Sequence, residues 1–428
     1  MALCVVGLHL ITVAKPASAA PQPLEWCGPG SATDLPDTVG GAQIHVVYAR
    51  PADAADNFGR WVIPIARDLA AIDTWWQEQD PTRTLRFDFA SFPGCDSAFG
   101  QLDISSVVLP HPSAHYEIEE RDVIARVADD LQGSFPSPNK KYLVYFDGPV
   151  ASGAVCGRGV SGPSPGASAI VYLQSQAACS RAGGGIGARG GAFSAVLAAH
   201  ELIHTLDDGV QGGPHVCSGE GRHYCDDTND ILAPAASAAS RLAAVVLDSG
   251  QDDYYGTGGP SDIRDSRFLA RLDAPQFGLA VTVGAPGGRV TSDLPGVLCA
   301  AVCNLPWDAG SRVGLTAVPD PGYAFAGWDG ACSGVVPYCA LTLNADTAVA
   351  ARFGQPGKLT LRVLGRGQID RCATKCRRSI VAGEQITLYA SPRAEERFLR
   401  WGGACRGRER QCTVTAVPGA TVRAVFTS

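Results

Sequence analysis

Beyond its first nineteen residues the chain has no apolar run long enough to cross a membrane, so no transmembrane segment is expected. It also lacks an excess of positive charge. Lys and Arg number 35 against 42 Asp and Glu, a formal net charge of −7, and no nucleic-acid fingerprint accompanies them. A nucleic-acid partner is therefore not expected. Charged residues are only 18% and hydrophobic residues 46%, which excludes general disorder. Histidine is scarce, with 8 in the chain, so two at ligand spacing carry weight. The 50 glycines and 29 prolines favour a loop-rich, strand-rich protein over a helical bundle, and 428 residues suffice for two or more cores.

The apolar run from Cys4 to Val13 leads into Ala17-Ser18-Ala19, the small-x-small pattern of a signal-peptidase site. Residues 1–19 are expected to be an export signal cut after Ala19, although no basic segment precedes the run. Of 15 cysteines, Cys4 lies inside that signal, leaving 14 and an expectation of seven disulfides. Such bonds form outside the reducing cytosol, and the protein is expected to be secreted, extracellular or cell-surface associated.

The C-terminal third repeats itself. Cys299, Cys303, Cys332 and Cys339 are separated by 4, 29 and 7 residues, and Cys372, Cys376, Cys405 and Cys412 reproduce those intervals. Trp328-Asp329-Gly330-Ala331-Cys332 corresponds to Trp401-Gly402-Gly403-Ala404-Cys405, and the endings at Phe353 and Phe426 fall in the same register. Two copies of one module are expected, over 277–354 and 358–428. Alternation such as Lys358-Leu359-Thr360-Leu361-Arg362-Val363 indicates half-buried strands, hence small all-β units. The simplest pairing joins near neighbours: Cys299 with Cys303, Cys332 with Cys339, and likewise in the second copy. Trp328 and Trp401 are expected to pack the module cores. The second copy has 14 Lys and Arg against 5 Asp and Glu, a balance of +9, whereas the first has 3 against 5. That contrast suggests an anionic cell-surface polymer as a partner.

Residues 20–276 read as one domain. Strand-like runs at 43–49, 84–89, 102–109, 141–146 and 169–173 interleave with helical patterns at 59–77, 119–131 and 190–207, an α/β layout. Trp75 and Trp76 read as core. The six cysteines here suit three bridges: Cys217 and Cys225 flank a short polar loop and should pair, while for Cys27 a structural bridge is expected with Cys95 as one candidate partner.

The chemistry concentrates in His200-Glu201-Leu202-Ile203-His204, at the end of an alanine-rich run that favours helix. Four residues apart on a helix, both imidazoles can address one ion, expected to be zinc. Glu201 can reach a water held there, take its proton as general base and hand it to a leaving amine. Zinc normally takes three protein ligands. His215 is the nearest downstream histidine and the first choice; His223 and Asp226, Asp227 or Asp230 stay open. Asp248, Asp252 and Asp253 read as a solvated turn rather than a calcium site.

These residues resemble the metzincin clan of zinc endopeptidases, specifically from His200 to Pro234 and more loosely over 43–206. The resemblance implies a metzincin-like zinc protease domain followed by the two small all-β, disulfide-stabilised modules, acting on a protein or peptide substrate. The chain departs from the clan pattern in three places. Asp207 stands at the helix-breaking glycine, Val210 at the usual third ligand, and Leu232 at the methionine of the turn beneath the site. A longer loop closed by Cys217–Cys225 would then supply the third ligand. The modules resemble bacterial surface repeats carrying Gly-Trp-x-Gly-x-Cys, met in full from Gly327 to Cys332, with Arg400 replacing the glycine in the second copy. Two other functions remain: a non-catalytic adhesin or binding protein that keeps the shape, and a zinc hydrolase of non-peptide amides or esters.

Overall fold

The computed structural model describes residues 24–95, 101–151, 156–161, 166–174, 193–206, 212–219, 222–234, 241–259, 262–284 and 287–427. The expected export signal and the positions Asp207 and Val210 lie outside them.

The first domain runs β1 (Gln43–Arg50), α1 (Phe58–Gln79), β2 (Arg83–Leu85), β3 (Phe89–Ala90), β4 (Gln101–Leu102), β5 (Ile104–Val108), α2 (Ser113–Tyr116), α3 (Glu120–Leu131), β6 (Lys140–Phe146), β7 (Gly157–Gly159), β8 (Ala169–Tyr172), α4 (Phe193–Ile203) and β9 (Leu269–Arg271). Five strands form one mixed sheet in the order β5-β1-β6-β8-β7. The first four are mutually parallel, and β7 at the edge is antiparallel to β8.

Helices cover both faces, so the central strands are apolar on both sides. Along β6, Leu143 and Tyr145 face the cluster that includes α1 and α4. Tyr142, Val144 and Phe146 face α3 through Val123, Val127 and Leu131. On α1, Val62, Ile65, Leu69, Ile72, Trp75 and Trp76 recur at helical spacing and are buried, so the two tryptophans are core. Asp68, also on that face, takes a hydrogen bond from the Tyr145 hydroxyl at 3.4 Å.

The C-terminal part is all β. The first module comprises β10 (Gln276–Val283), β11 (Gly288–Ser292), β12 (Leu298–Cys299), β13 (Val302–Asp308), β14 (Arg312–Pro319), β15 (Ala324–Gly330), β16 (Tyr338–Thr342) and β17 (Thr347–Gly354). The second comprises β18 (Pro356–Leu364), β19 (Gly367–Ile369), β20 (Lys375–Val381), β21 (Gln385–Pro392), β22 (Phe398–Gly403), β23 (Gln411–Thr415) and β24 (Thr421–Phe426). Each is a pair of sheets: β13-β10-β17-β15 with β12-β11-β14-β16, and β20-β18-β24-β22 with β19-β21-β23. The first and last strands of each module are parallel neighbours, β10 with β17 and β18 with β24.

The disulfides join Cys299–Cys303, Cys332–Cys339, Cys372–Cys376 and Cys405–Cys412, with Cys27–Cys95 and Cys217–Cys225 in the first domain. Cys156 is also disulfide-bonded. Trp328 and Trp401 are buried in their cores, and each indole N–H donates to a carbonyl eight residues on, Val336 and Glu409 respectively.

The first module is docked on the first domain. Trp307 is fully buried against Gly40, where an added Cβ would fall 2.2 Å from the indole Cε2. Beside it, Arg86 and Asp308 form a 2.5 Å ion pair.

Candidate metal centre

Every residue of α4 is buried. An alanine-rich helix apolar on all sides can run through a core, and it delivers His200 and Glu201 in its last turn. His204 lies just past it, its N–H still bonded to the His200 carbonyl at 3.3 Å. The Nε2 atoms of His200 and His204 are 3.1 Å apart. A third imidazole completes the group: His223 Nε2 lies 3.2 Å from His200 Nε2. Imidazole nitrogens sharing one tetrahedral zinc, with bonds of about 2.1 Å, would be separated by about 3.4 Å. The donor set therefore fits such an ion in both chemistry and spacing.

His223 arrives on a small hairpin. Val216 and Tyr224 form an antiparallel bridge, Cys217 N–H donates to the His223 carbonyl at 2.8 Å, and Cys225 N–H donates to the His215 carbonyl at 3.0 Å. The Cys217–Cys225 bond closes it. His215, the first choice from sequence distance, is not brought to the other two. Its Nδ1 lies 3.2 Å from Asp253 Oδ2 and its backbone N–H donates to Asp253 Oδ1 at 3.0 Å. The Asp253 hydrogen bond raises its pKa, as expected of an imidazole beside a carboxylate rather than of a ligand held neutral.

His200 Nδ1 donates to the Ile231 carbonyl at 2.5 Å, which leaves the Nε2 lone pair facing the cluster. Burial lowers the His200 pKa to about 4 and that of His204 well below its ordinary value, so both rings are neutral. His204 Nδ1 is buried and has no hydrogen-bond partner among the described residues.

Ile231 belongs to the turn Asp230–Pro234, in which Leu232 is fully buried. Asp230 builds this turn. Its Oδ1 accepts from Leu232 N–H at 2.6 Å and from the Tyr254 hydroxyl at 2.9 Å, and its Oδ2 accepts from Ser249 N–H at 2.9 Å. Asp227 is likewise engaged, by Asn229 and Ser249. Asp248 and Asp253 are buried rather than solvated. Asp248 Oδ2 accepts from the backbone N–H of Tyr254 and Tyr255, so these residues form a structural knot behind the site.

Glu201 is buried, and desolvation raises its carboxyl to about 8, opposed by a hydrogen bond from Gly159 N–H and by the Arg158 charge. The edge strand β7 crosses α4 here at very short range. A Cβ on Gly159 would lie 2.4 Å from the Glu201 carbonyl oxygen and 2.9 Å from His204 Cβ. One on Gly157 would lie 3.0 Å from Glu201 Cγ. Glycine alone permits this approach. Gly157, Arg158, Gly159 and the Ile231 carbonyl went unrecognised in the sequence, where Gly-Arg-Gly is the only trace of them.

The divergent InlB B-repeat domain family matches residues 280–356 and 363–428, the two modules. With the disulfides, this fits an extracellular or cell-surface protein. No curated protein matches the chain. Among solved structures, catalytically inactive OgpA from Akkermansia muciniphila in complex with an O-glycopeptide (glycodrosocin) substrate is 12% identical, over 88% of this chain and 93% of that one, with a TM-score of 0.27. Wild-type OgpA in another crystal is 14% identical, over 79% and 99%, with a TM-score of 0.26. Similarity at that level does not define a common fold.

Proposed function

We propose that the chain is a metzincin-like, zinc-dependent endopeptidase in which His200, His204 and His223 hold the ion and Glu201 is the general base. The observation that carries this reading is the convergence of three imidazole nitrogens beside a buried glutamate. Zinc, when bound, supplies Lewis acidity, acidifying a water and polarising a carbonyl. Glu201 takes a proton from the attacking water and passes it to the leaving amine nitrogen. The Gly159 N–H orients the carboxylate. The edge strand β7 lies directly against this glutamate, and its outer side has no strand neighbour among the described residues. An extended peptide paired there would run past the histidines, with main-chain hydrogen bonds holding it.

The test combines zinc analysis with cleavage of a peptide mixture, on the oxidised chain and three variants. The unaltered chain and His215→Ala should hold stoichiometric zinc and cleave. Glu201→Gln should hold zinc and lose about 10²–10⁴-fold in rate. His223→Ala should lose the metal. A Glu201→Gln protein that cleaves as fast as the unaltered chain would sink the reading.

A further inference from the structure

The four-stranded sheet of the second module, β20-β18-β24-β22, contains Lys358, Arg362, Lys375, Arg377, Arg378, Arg400 and Arg423 and no acidic residue. Cross-strand register places three of these cations in a row. Arg362 on β18 is directly opposite Lys375 on β20 and directly opposite Arg423 on β24. All three are exposed, as are Lys358, Arg377 and Arg400. Their strand neighbours Leu361, Val422 and Ala424 point the other way, into the core, so the row stands on the solvent face. Like charges facing one another across strands destabilise a sheet. Of the sheet's seven cations, Arg378 alone is ion-paired among the described residues, with Asp370 at 3.3 Å.

The first module supplies an internal control, because its homologous sheet has the same register. There Thr282 sits opposite Val302 and opposite Ala350, so the equivalent row is uncharged. The single cation in that sheet, Arg352, is neutralised by Asp329 at 2.5 Å. The scaffold therefore does not require the cations, and the second copy bears their mutual repulsion for another reason.

We infer that this face of the second module binds an acidic polysaccharide through Lys375, Arg362 and Arg423. The row spans three strands, about 10 Å at the usual strand spacing. Guanidinium forks on a flat face suit sulfate or carboxylate groups repeated along an extended chain. No aromatic side chain stands on the face; the exposed Tyr389 belongs to β21 in the other sheet. The stacking platform of single-stranded nucleic-acid binders is thus missing. This inference is independent of the metal centre.

The test uses the full oxidised chain and heparin as probe, with affinity measured by calorimetry at low and high salt. Lys375→Val, Arg362→Thr and Arg423→Ala are made together, installing the first module's residues on the second. Binding by the unaltered chain that weakens with salt, and falls about tenfold or more in the triple variant, is the expected result. The thermal midpoint of the triple variant should be equal or higher, since repulsion is removed. Arg378→Ala, which removes a charge outside the row, should bind as the unaltered chain does. The inference is overturned if the unaltered chain does not bind heparin, if the triple variant binds unchanged, or if Arg378→Ala loses as much. Tighter binding to single-stranded DNA or to anionic vesicles than to heparin would also overturn it.

Discussion

His200 and Ile231, 31 residues apart, are joined by a 2.5 Å hydrogen bond from the ring Nδ1 to the backbone carbonyl. That bond sets the tautomer of the histidine, and Asp230 sets the position of the carbonyl by accepting from Leu232, Tyr254 and Ser249. Removing the acceptors with Asp230→Ala should lower zinc affinity about 10–100-fold without altering the ligands themselves. Chelator competition measures this. Asp230→Asn, which keeps one carbonyl acceptor, should recover part of the loss, and unchanged affinity in the alanine variant would remove the turn from the account.

The close crossing of β7 over α4 makes Gly159→Ala a sensitive probe. The new methyl meets backbone oxygen rather than a movable side chain, so the strand must shift, at a cost of about 1–3 kcal/mol. Peptide cleavage should fall further than stability does, because Glu201 loses its Gly159 hydrogen bond. At Gly133 a methyl would meet nothing within 4 Å, and Gly133→Ala should change neither quantity.

Asp68 gives a pH dependence remote from the histidines. Burial raises its carboxyl from 3.8 to about 7, against the hydrogen bonds of Ser194 and Tyr145. Between those two values the native state binds more protons than the unfolded chain, so stability falls as pH rises through that window. Asp68→Asn removes this titration. Thermal midpoints of the two proteins should approach one another near the acid end and separate in the variant's favour toward neutral pH. Parallel curves would show that the Asp68 carboxyl is not protonated in the native state.

Trp307 couples the first module to the first domain. Trp307→Ala empties a fully buried site and should cost about 3–5 kcal/mol. Calorimetry should then resolve the first domain from the modules as separate transitions. A single transition at the original midpoint would mean that the Arg86–Asp308 pair and its neighbouring hydrogen bonds suffice for docking.

Much of this molecule is legible in its sequence because the signals are local. Alternation in Lys358–Val363 marks a strand, helical spacing from Val62 to Trp76 marks α1, and the repeated cysteine intervals mark the modules and their disulfides. His204 follows directly on the helix that carries His200 and keeps its N–H bonded to the His200 carbonyl, so four residues of sequence place both. The third imidazole is set instead by hairpin register. Sequence distance ranks His215 ahead of His223, but the pairing of Val216 with Tyr224 decides which ring faces the helix, and Asp253, 38 residues beyond His215, holds the other. Asp248 reads as solvated because its neighbours are polar; the backbone N–H groups that bury it belong to a turn that spacing does not reveal. The glycines of β7 matter only through contact with a helix distant in the chain.

The parallel pairing of first and last strands also determines how the modules carry load. A pull between the first domain and the C-terminus enters each module through β10 or β18 and leaves through β17 or β24. Because these strands lie side by side and point the same way, tension shears all their rungs at once instead of peeling them singly. Only Gln355 separates β17 from β18, so there is little slack to absorb the strain first. The tail is built to resist stretching rather than to yield as a spring.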